Sequence, residues 1–283
     1  MSDQPTRASG QGKSARQSPS DDRSVDPEEP ICVLHLTDTH LNRRARTASP
    51  PVSLADAVAA LSGRTTDEAL EHVLTKSRER PVDLILHTGD LIDDETAEAY
   101  RHAFEQLERL DLPVLICAGN HDVPTLLAQE TRKRGWPGRH VDVGVWRILT
   151  LNTNGGAHGG HLAGSELEAL HNLGSEWDGP VLLGLHHPPV STCDHPDCVL
   201  ANASELLDVI DGLGNVAAVA SGHLHAASEA ERSGVKYLLG PSTCLQLRHV
   251  HPLPEHNREG TQGGAQWINL FPSGEVRSSI FWA

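Results

Sequence analysis

Five apolar runs in this chain end the same way, and that shared ending limits what the chain can fold into. "VLHLTDTH" closes on Asp38 and His40, "LILHTGD" on Asp90, and "VLICAGNHD" on Asn120, His121 and Asp122. "VLLGLHHPP" ends on His186 and His187, and "VAAVASGHLH" on His223 and His225. Short apolar runs bounded by Gly or Pro read as buried strands. In open α/β sheets, ligands collect outside the carboxyl ends of the strands. Neighbouring strands would therefore gather these polar ends in one crevice.

Strands are expected at 31–36, 83–87, 114–118, 146–151, 181–185, 216–220, 235–239, 265–270 and 276–281. Helices are expected at 66–79, 94–110, 165–173 and 203–211, the second carrying Ala97, Tyr100, Phe104 and Leu107 at helical spacing. The early strand–helix–strand repetition implies right-handed crossovers, and the shorter later connections imply a second, more mixed sheet. Residues 1–29 are rich in Ser, Gln, Asp, Arg and Pro and read as a disordered tail. Residues 30–283 are expected to form one two-sheet catalytic domain with a C-terminal loop and strand extension.

Charge excludes one class of partner. The chain carries −15, of which the tail holds −2, so its surface repels polyanions and no nucleic acid partner is expected. Arg43, Arg44 and Arg46 read as a solvated loop rim. No run approaches the roughly 18–20 apolar residues of a membrane span, and no secretory h-region opens the chain. No membrane partner is expected, and the cytoplasm is the expected compartment. Five cysteines, an odd number without an export signal, argue against a disulfide framework. "CDHPDC" (193–198) offers Cys193, His195 and Cys198 but no clear fourth zinc ligand, and reads as a surface loop. The Gly-rich stretch 152–164 lacks the Lys-Ser/Thr ending of a phosphate loop. Residues 241–264 read as a long loop carrying His249, His251 and His256.

The strand-end residues share a chemistry. Carboxylate and amide oxygens with imidazole nitrogens suit borderline divalent metals such as Mn, Fe, Co or Zn. In extended backbone, residues i and i+2 face one side, so Asp38/His40 and His223/His225 can each present two donors together. Gly89, Gly119 and Gly222 precede donors, where a missing Cβ allows close approach. There are too many donors for one ion, whereas two ions about 3.5–4 Å apart sharing a carboxylate would use seven of them.

In the order DTH, GD, GNHD, HHPP and GHLH, these residues resemble the signature of the binuclear metallophosphoesterases, over roughly Ile31 to Pro241. "LHLTDTHL", "HHPPV" and "LLGPSTCLQL" make the chain most similar to the bacterial class III cyclic nucleotide phosphodiesterases. The resemblance implies an α/β fold in four layers, αββα, with two mixed sheets flanked by helices. It implies that Asp38, His40 and His225 hold one divalent ion and Asn120, His186 and His223 a second, with Asp90 bridging. Fe or Mn are the expected ions, with Zn or Co as alternatives. His121 would reach the substrate phosphate from just outside the metals and protonate the leaving alkoxide. Asn120 and Asp90 complete the implied catalytic set. Substrate contacts would come from His40, Asn120, His121, His225 and Asn202, although an N-cap for helix 203–211 explains Asn202 equally well. His187 has no ligand role in the family and reads as packing; Asp122 would orient a neighbour or cap the next helix; Ser242 reads as a turn residue.

The implied activity is hydrolysis of 3',5'-cyclic nucleotides such as cAMP to 5'-monophosphates by in-line attack of a metal-bridging hydroxide. Two divalent ions with Asp38, Asp90 and that hydroxide leave about one net positive charge, enough to attract a phosphodiester to an acidic protein. A broader phosphodiesterase acting on glycerophosphodiesters or other nucleotides is the main alternative. A non-catalytic scaffold is the other, but such proteins lose ligand histidines or the bridging aspartate, and every position is filled here. A homodimer is a further expectation, with loops 186–204 and 241–264 as its supports. Two segments depart from the family pattern: "TLNTN" replaces a Leu-Asp-Ser sequence, and "SELEALHNL" replaces a segment that often carries Gln and Trp.

Overall fold

The computed structural model describes residues 29–42, 54–155, 160–190, 198–247 and 262–283. Outside the described residues lie the tail up to residue 28, Arg43, Arg44, Arg46, Cys193, His195 and the three histidines of the 241–264 loop. In chain order the elements are β1 (Ile31–Leu36), α1 (Leu54–Ser62), α2 (Thr66–Ser77), β2 (Leu84–His87), α3 (Ala97–Glu108), β3 (Val114–Ile116), α4 (Pro124–Arg134), β4 (His140–Val143), β5 (Trp146–Thr150), α5 (Gly164–Ser175), β6 (Val181–Gly184), α6 (Ala203–Leu213), β7 (Val216–Ser221), β8 (Ser228–Arg232), β9 (Val235–Leu239), β10 (Gly264–Leu270) and β11 (Val276–Trp282).

Alternation along the strands builds the layers. In β1, Cys32, Leu34 and Leu36 face α2 and α3, packing with Leu70, Val73, Tyr100 and Phe104. Ile31 and Val33 face the other way, joining Leu84 and Leu86 of β2 against Ile148, Leu182 and Ala218 of the second sheet. The outer face of that sheet, with Leu149, Leu183 and Val219, packs on Leu170 of α5 and on Leu206 and Ile210 of α6. A period-two side-chain pattern buried on both faces thus gives helix, sheet, sheet, helix, as expected. Truncating a residue of the middle layer, such as Leu86, removes packing from both sheets at once.

The first sheet runs β11-β10-β1-β2-β3 and the second β4-β5-β6-β7-β9-β8. β1, β2 and β3 are parallel, and so are β5, β6, β7 and β9. Antiparallel strands β10, β11, β4 and β8 complete both sheets, making each of them mixed. The five runs that end in donor residues, β1, β2, β3, β6 and β7, are all among these parallel strands.

Four elements are additional to the expected set: β4, β8, α4 and α1. β4 and β8 are edge strands of four and five residues, half-exposed or exposed throughout, so neither shows an apolar run. α4 buries only Leu127, Glu130 and Thr131 and starts with Pro at its first turn, where the missing N–H costs nothing. α1 is likewise additional. Cys198 is disulfide-bonded, whereas Cys32, Cys117 and Cys244 are buried free thiols. One disulfide is therefore present despite the odd cysteine count, and three of the five cysteines stay outside any disulfide framework. No described helix is long and apolar enough to cross a membrane.

Candidate metal centre

The strand ends converge, and the backbone is strained where they do. Among described non-glycine residues, eight have positive φ, and five of them are Asp38 (52°), His40 (45°), Asp90 (54°), His223 (75°) and His225 (46°). Left-handed backbone costs a residue with a Cβ on the order of 1 kcal/mol or more, and persists only where neighbours over-determine it. Here they do. The ladder between β1 and β2 continues past the strands, Asp38 N–H donating to Gly89 C=O, His40 N–H to Asp90 C=O and Leu41 N–H to Leu91 C=O, each at 3.0 Å. Gly222 N–H donates to His186 C=O at 3.0 Å, tying β7's end to β6's. Two glycines make the approach possible. A Cβ at Gly119 would lie 2.1 Å from Asp90 Oδ1, and one at Gly222 would lie 1.8 Å from Thr37 Oγ1.

The donor atoms crowd together. His225 Nε2 lies 3.3 Å from Asp38 Oδ1, and His40 Nε2 lies 3.1 Å from His225 Nε2. On the other side, His186 Nε2 lies 3.2 Å from Asp90 Oδ2 and 3.1 Å from Asn120 Oδ1. Asp90 Oδ2 is also 3.7 Å from His40 Nε2, so this carboxylate touches both groups. The His223 ring meets that of His186 edge-on with centroids 5.1 Å apart, and its backbone N–H donates to Asp38 at 3.0 Å. Asp38/His40/His225, Asp38/Asp90/His186 and His186/His187/His223 each place their ligand atoms within 4.8 Å of one another. His186 Nδ1 donates to Thr88 C=O at 2.8 Å and His225 Nδ1 to Leu245 C=O at 2.9 Å, which turns each Nε2 into the crevice. A buried set of oxygens and imidazole nitrogens aimed at common points fits divalent cations.

Electrostatics agree. Asp38, Asp90 and His186 are buried, and the ion-pair partners of both carboxylates are histidines. Burial works to neutralise His186, but the Asp90 and Asp38 charges outweigh it and lift its pKa to about 9. Burial also opposes ionisation of Asp90, yet His186 and His40 hold that carboxyl well below the usual range. Burial, then the charge of His186, pushes His187 down to about 2. His187 Nδ1 bonds Thr153 Oγ1 at 2.8 Å, so its ring is tied to the loop after β5.

Asn120 is exposed, and the His121 side chain is 41% exposed at the lip of the crevice. His121 Nδ1 donates to Asp93 Oδ1 at 2.9 Å, and that hydrogen bond raises its pKa despite burial. Asp93 is a functional candidate that the sequence reading passed over. Its signal was a carboxylate three residues after Asp90 in "GDLIDD", masked by the apolar Leu91-Ile92 between them. Asp122 faces inward: its carboxylate accepts from Gly119 N–H at 2.9 Å and Tyr100 O–H at 3.1 Å, fastening the loop that carries Asn120 and His121. It orients a neighbour, and α4 is capped at Val123 with no side-chain bond. Ser242 donates to Asp38 C=O at 2.8 Å, which supports the strained Asp38. Asn202 is committed elsewhere. Its Oδ1 accepts from Leu162 N–H, and its Nδ2 donates to Leu162 C=O and Glu205 Oε2. It occupies the N-cap position of α6, as one of the two expectations had it, but without a side-chain cap bond to the helix backbone.

Known proteins align with this chain along most of its length. The family profile described as calcineurin-like phosphoesterase matches residues 32–227. A 3',5'-cyclic-nucleotide phosphodiesterase of Nostoc sp. is 33% identical, over 89% of this chain and 92% of its own. The 3',5'-cyclic adenosine monophosphate phosphodiesterase CpdA of Escherichia coli is 32% identical, over 78% of this chain and 79% of its own. The crystal structure of a dimetal phosphatase from Danio rerio superposes with a TM-score of 0.55 at 14% identity, covering 89% of this chain and 99% of that one, a likeness of fold.

Proposed function

As the chain belongs to the calcineurin-like phosphoesterase family, we propose that it is a metal-dependent phosphodiesterase that hydrolyses 3',5'-cyclic nucleotides, cAMP among them, to 5'-monophosphates. The observation that carries the reading is the touching of both donor groups by the single buried carboxylate of Asp90, 3.2 Å from His186 and 3.7 Å from His40. The substrate class comes from relatives named as cyclic nucleotide phosphodiesterases that align over about nine-tenths of both chains.

Asp38, His40 and His225 would hold one ion, Asn120, His186 and His223 the other, and Asp90 both; Mn or Fe suits this mixture of oxygen and nitrogen donors, as Zn or Co would. When bound, the ions supply Lewis acidity that acidifies water and neutralises charge on phosphoryl oxygens. The chain's residues do the rest. Asn120 can give its carbonyl to an ion while its amide hydrogens remain for a phosphate oxygen. Asp93 fixes the proton of His121 on Nδ1 and favours a second on Nε2. That proton is placed for the ribose 3'-oxygen as the P–O bond breaks, an acid role typically worth about 10²–10⁴-fold. His40 and His225 line the floor beneath the phosphate.

The test strips the protein with chelator, restores Mn²⁺ or Fe²⁺, and follows cAMP, cGMP and glycerophosphocholine by phosphorus NMR. We expect metal-dependent conversion of cyclic nucleotide to 5'-monophosphate. Turnover of glycerophosphocholine alone would remove the cyclic nucleotide assignment, and no metal-dependent turnover of any diester would remove the enzyme.

A further inference from the structure

The loop that carries Asn120 and His121 is held by a side chain from the other sheet. Gly119 to Asp122 leaves β3, and Asp122 N–H closes the turn on Gly119 C=O at 3.2 Å. Asn154, after β5 of the second sheet, reaches across and donates its Nδ2 to Gly119 C=O at 2.9 Å and to Asp122 C=O at 3.0 Å. The orientation of this amide follows from its partners, since two carbonyl oxygens would repel the amide oxygen and accept only the nitrogen. One group thus bridges the first and last carbonyls of a four-residue turn, and Asn120 and His121 are the two residues between them.

The clamp is itself anchored. Asn154 N–H donates to Asn152 Oδ1 at 2.9 Å, Asn152 N–H donates to Glu166 Oε2 at 2.9 Å, and Glu166 pairs with both terminal nitrogens of Arg139. The chain runs from the loop after β5 to the first turn of α5 without touching a metal-donor side chain. It lies in the stretch "TLNTN". On the loop's inner side, Asp122 binds Gly119 N–H and Asp90 Oδ1 accepts from His121 N–H at 2.8 Å. Only Asn154 holds the carbonyl side among the hydrogen bonds of the described residues that cross from the second sheet.

We propose that Asn154 is a positioning residue for proton transfer: by bridging Gly119 and Asp122 it sets the pitch of the loop and so the aim of His121 Nε2 at the leaving oxygen. Acid assistance matters most for a poor leaving group and little for one that departs as a stable anion. Loss of the clamp should therefore be selective, which separates it from general loosening of the fold.

The experiment compares the full-length chain with Asn154→Asp, which keeps the shape but removes the donors, and with Asn154→Ala as a second variant should the first not fold. One arm measures hydrogen exchange of the His121 and Asp122 amides by NMR. We expect exchange at these two to rise by about tenfold, with the β1 and β2 amides unchanged. The second arm rests on the proposed function: kcat on metal-loaded protein for methyl aryl phosphates whose phenols range from p-nitrophenol to phenol. We expect a loss of about tenfold or more with the phenol, no more than about threefold with p-nitrophenol, and unchanged metal content. Unchanged exchange, or a kcat loss equal along the series, overturns the proposal. A wild-type chain inert to every diester defeats the proposed function alone, and the exchange arm then decides this inference.

Discussion

The two ends of the parallel strands make opposite use of the same architecture. At the carboxyl ends, strained residues bear carboxylates and imidazoles aimed at one another, all buried except the half-buried His223. At the amino ends of β6, β7 and β9 lies a cavity of about 560 Å³, bordered by Asp178, Asp211, Asn215 and the turn glycines Gly214 and Gly234. Positive φ occurs there too, but on Gly214, Gly234 and Ser233, where it serves tight turns. Its Asp211 is exposed and paired with Arg232 at 2.8 Å. Buried carboxylates paired with histidines, on backbone that the fold must hold in an unfavourable region, mark the carboxyl end as the place where chemistry is done.

That contrast can be broken by substitution at either end. Asp90→Asn carries the largest expected effect: phosphodiester turnover should fall on the order of 10³-fold, and metal analysis should find fewer than two ions per chain. Full turnover in this variant would undo the contrast at its strongest point. His121→Ala should lower kcat by about 10²–10⁴-fold for an alkoxide leaving group while leaving metal content intact, because His121 is hydrogen-bonded to Asp93 at the lip and is not one of the seven proposed ligands, although His40, Asp93 and His121 also bring ligand atoms within 4.8 Å of one another. A parallel loss of metal would show that His121 belongs among the ligands. Asp211→Ala, at the amino end, should leave kcat/KM within about twofold, as expected for an exposed ion pair remote from the site. A large loss there would give this cavity a function.

How far these features are written in the sequence depends on whether they are local. The layered fold follows from runs such as "ICVLHL" and "LILH", whose alternate residues each find a different core. The donor set follows from the shared endings of those runs. β8, "SEAER", was illegible because an exposed edge strand has no buried face to pattern it. Asp93 stood in plain view but acquires meaning only when His121 is brought beside it from 28 positions away. Asn154 has no signal at all: its role exists only where β5 of one sheet passes the loop after β3 of the other. The Cys198 disulfide shows the same limit in reverse, since counting cysteines says nothing about which of them meet.

The central claim, that one buried carboxylate serves two cations, is met most directly by anomalous diffraction from Mn²⁺-loaded crystals. The account predicts two peaks about 3.5–4 Å apart, one beside Asp38, His40 and His225, the other beside Asn120, His186 and His223, with Asp90 between them. A single peak, or a pair of peaks that does not share Asp90, would contradict it.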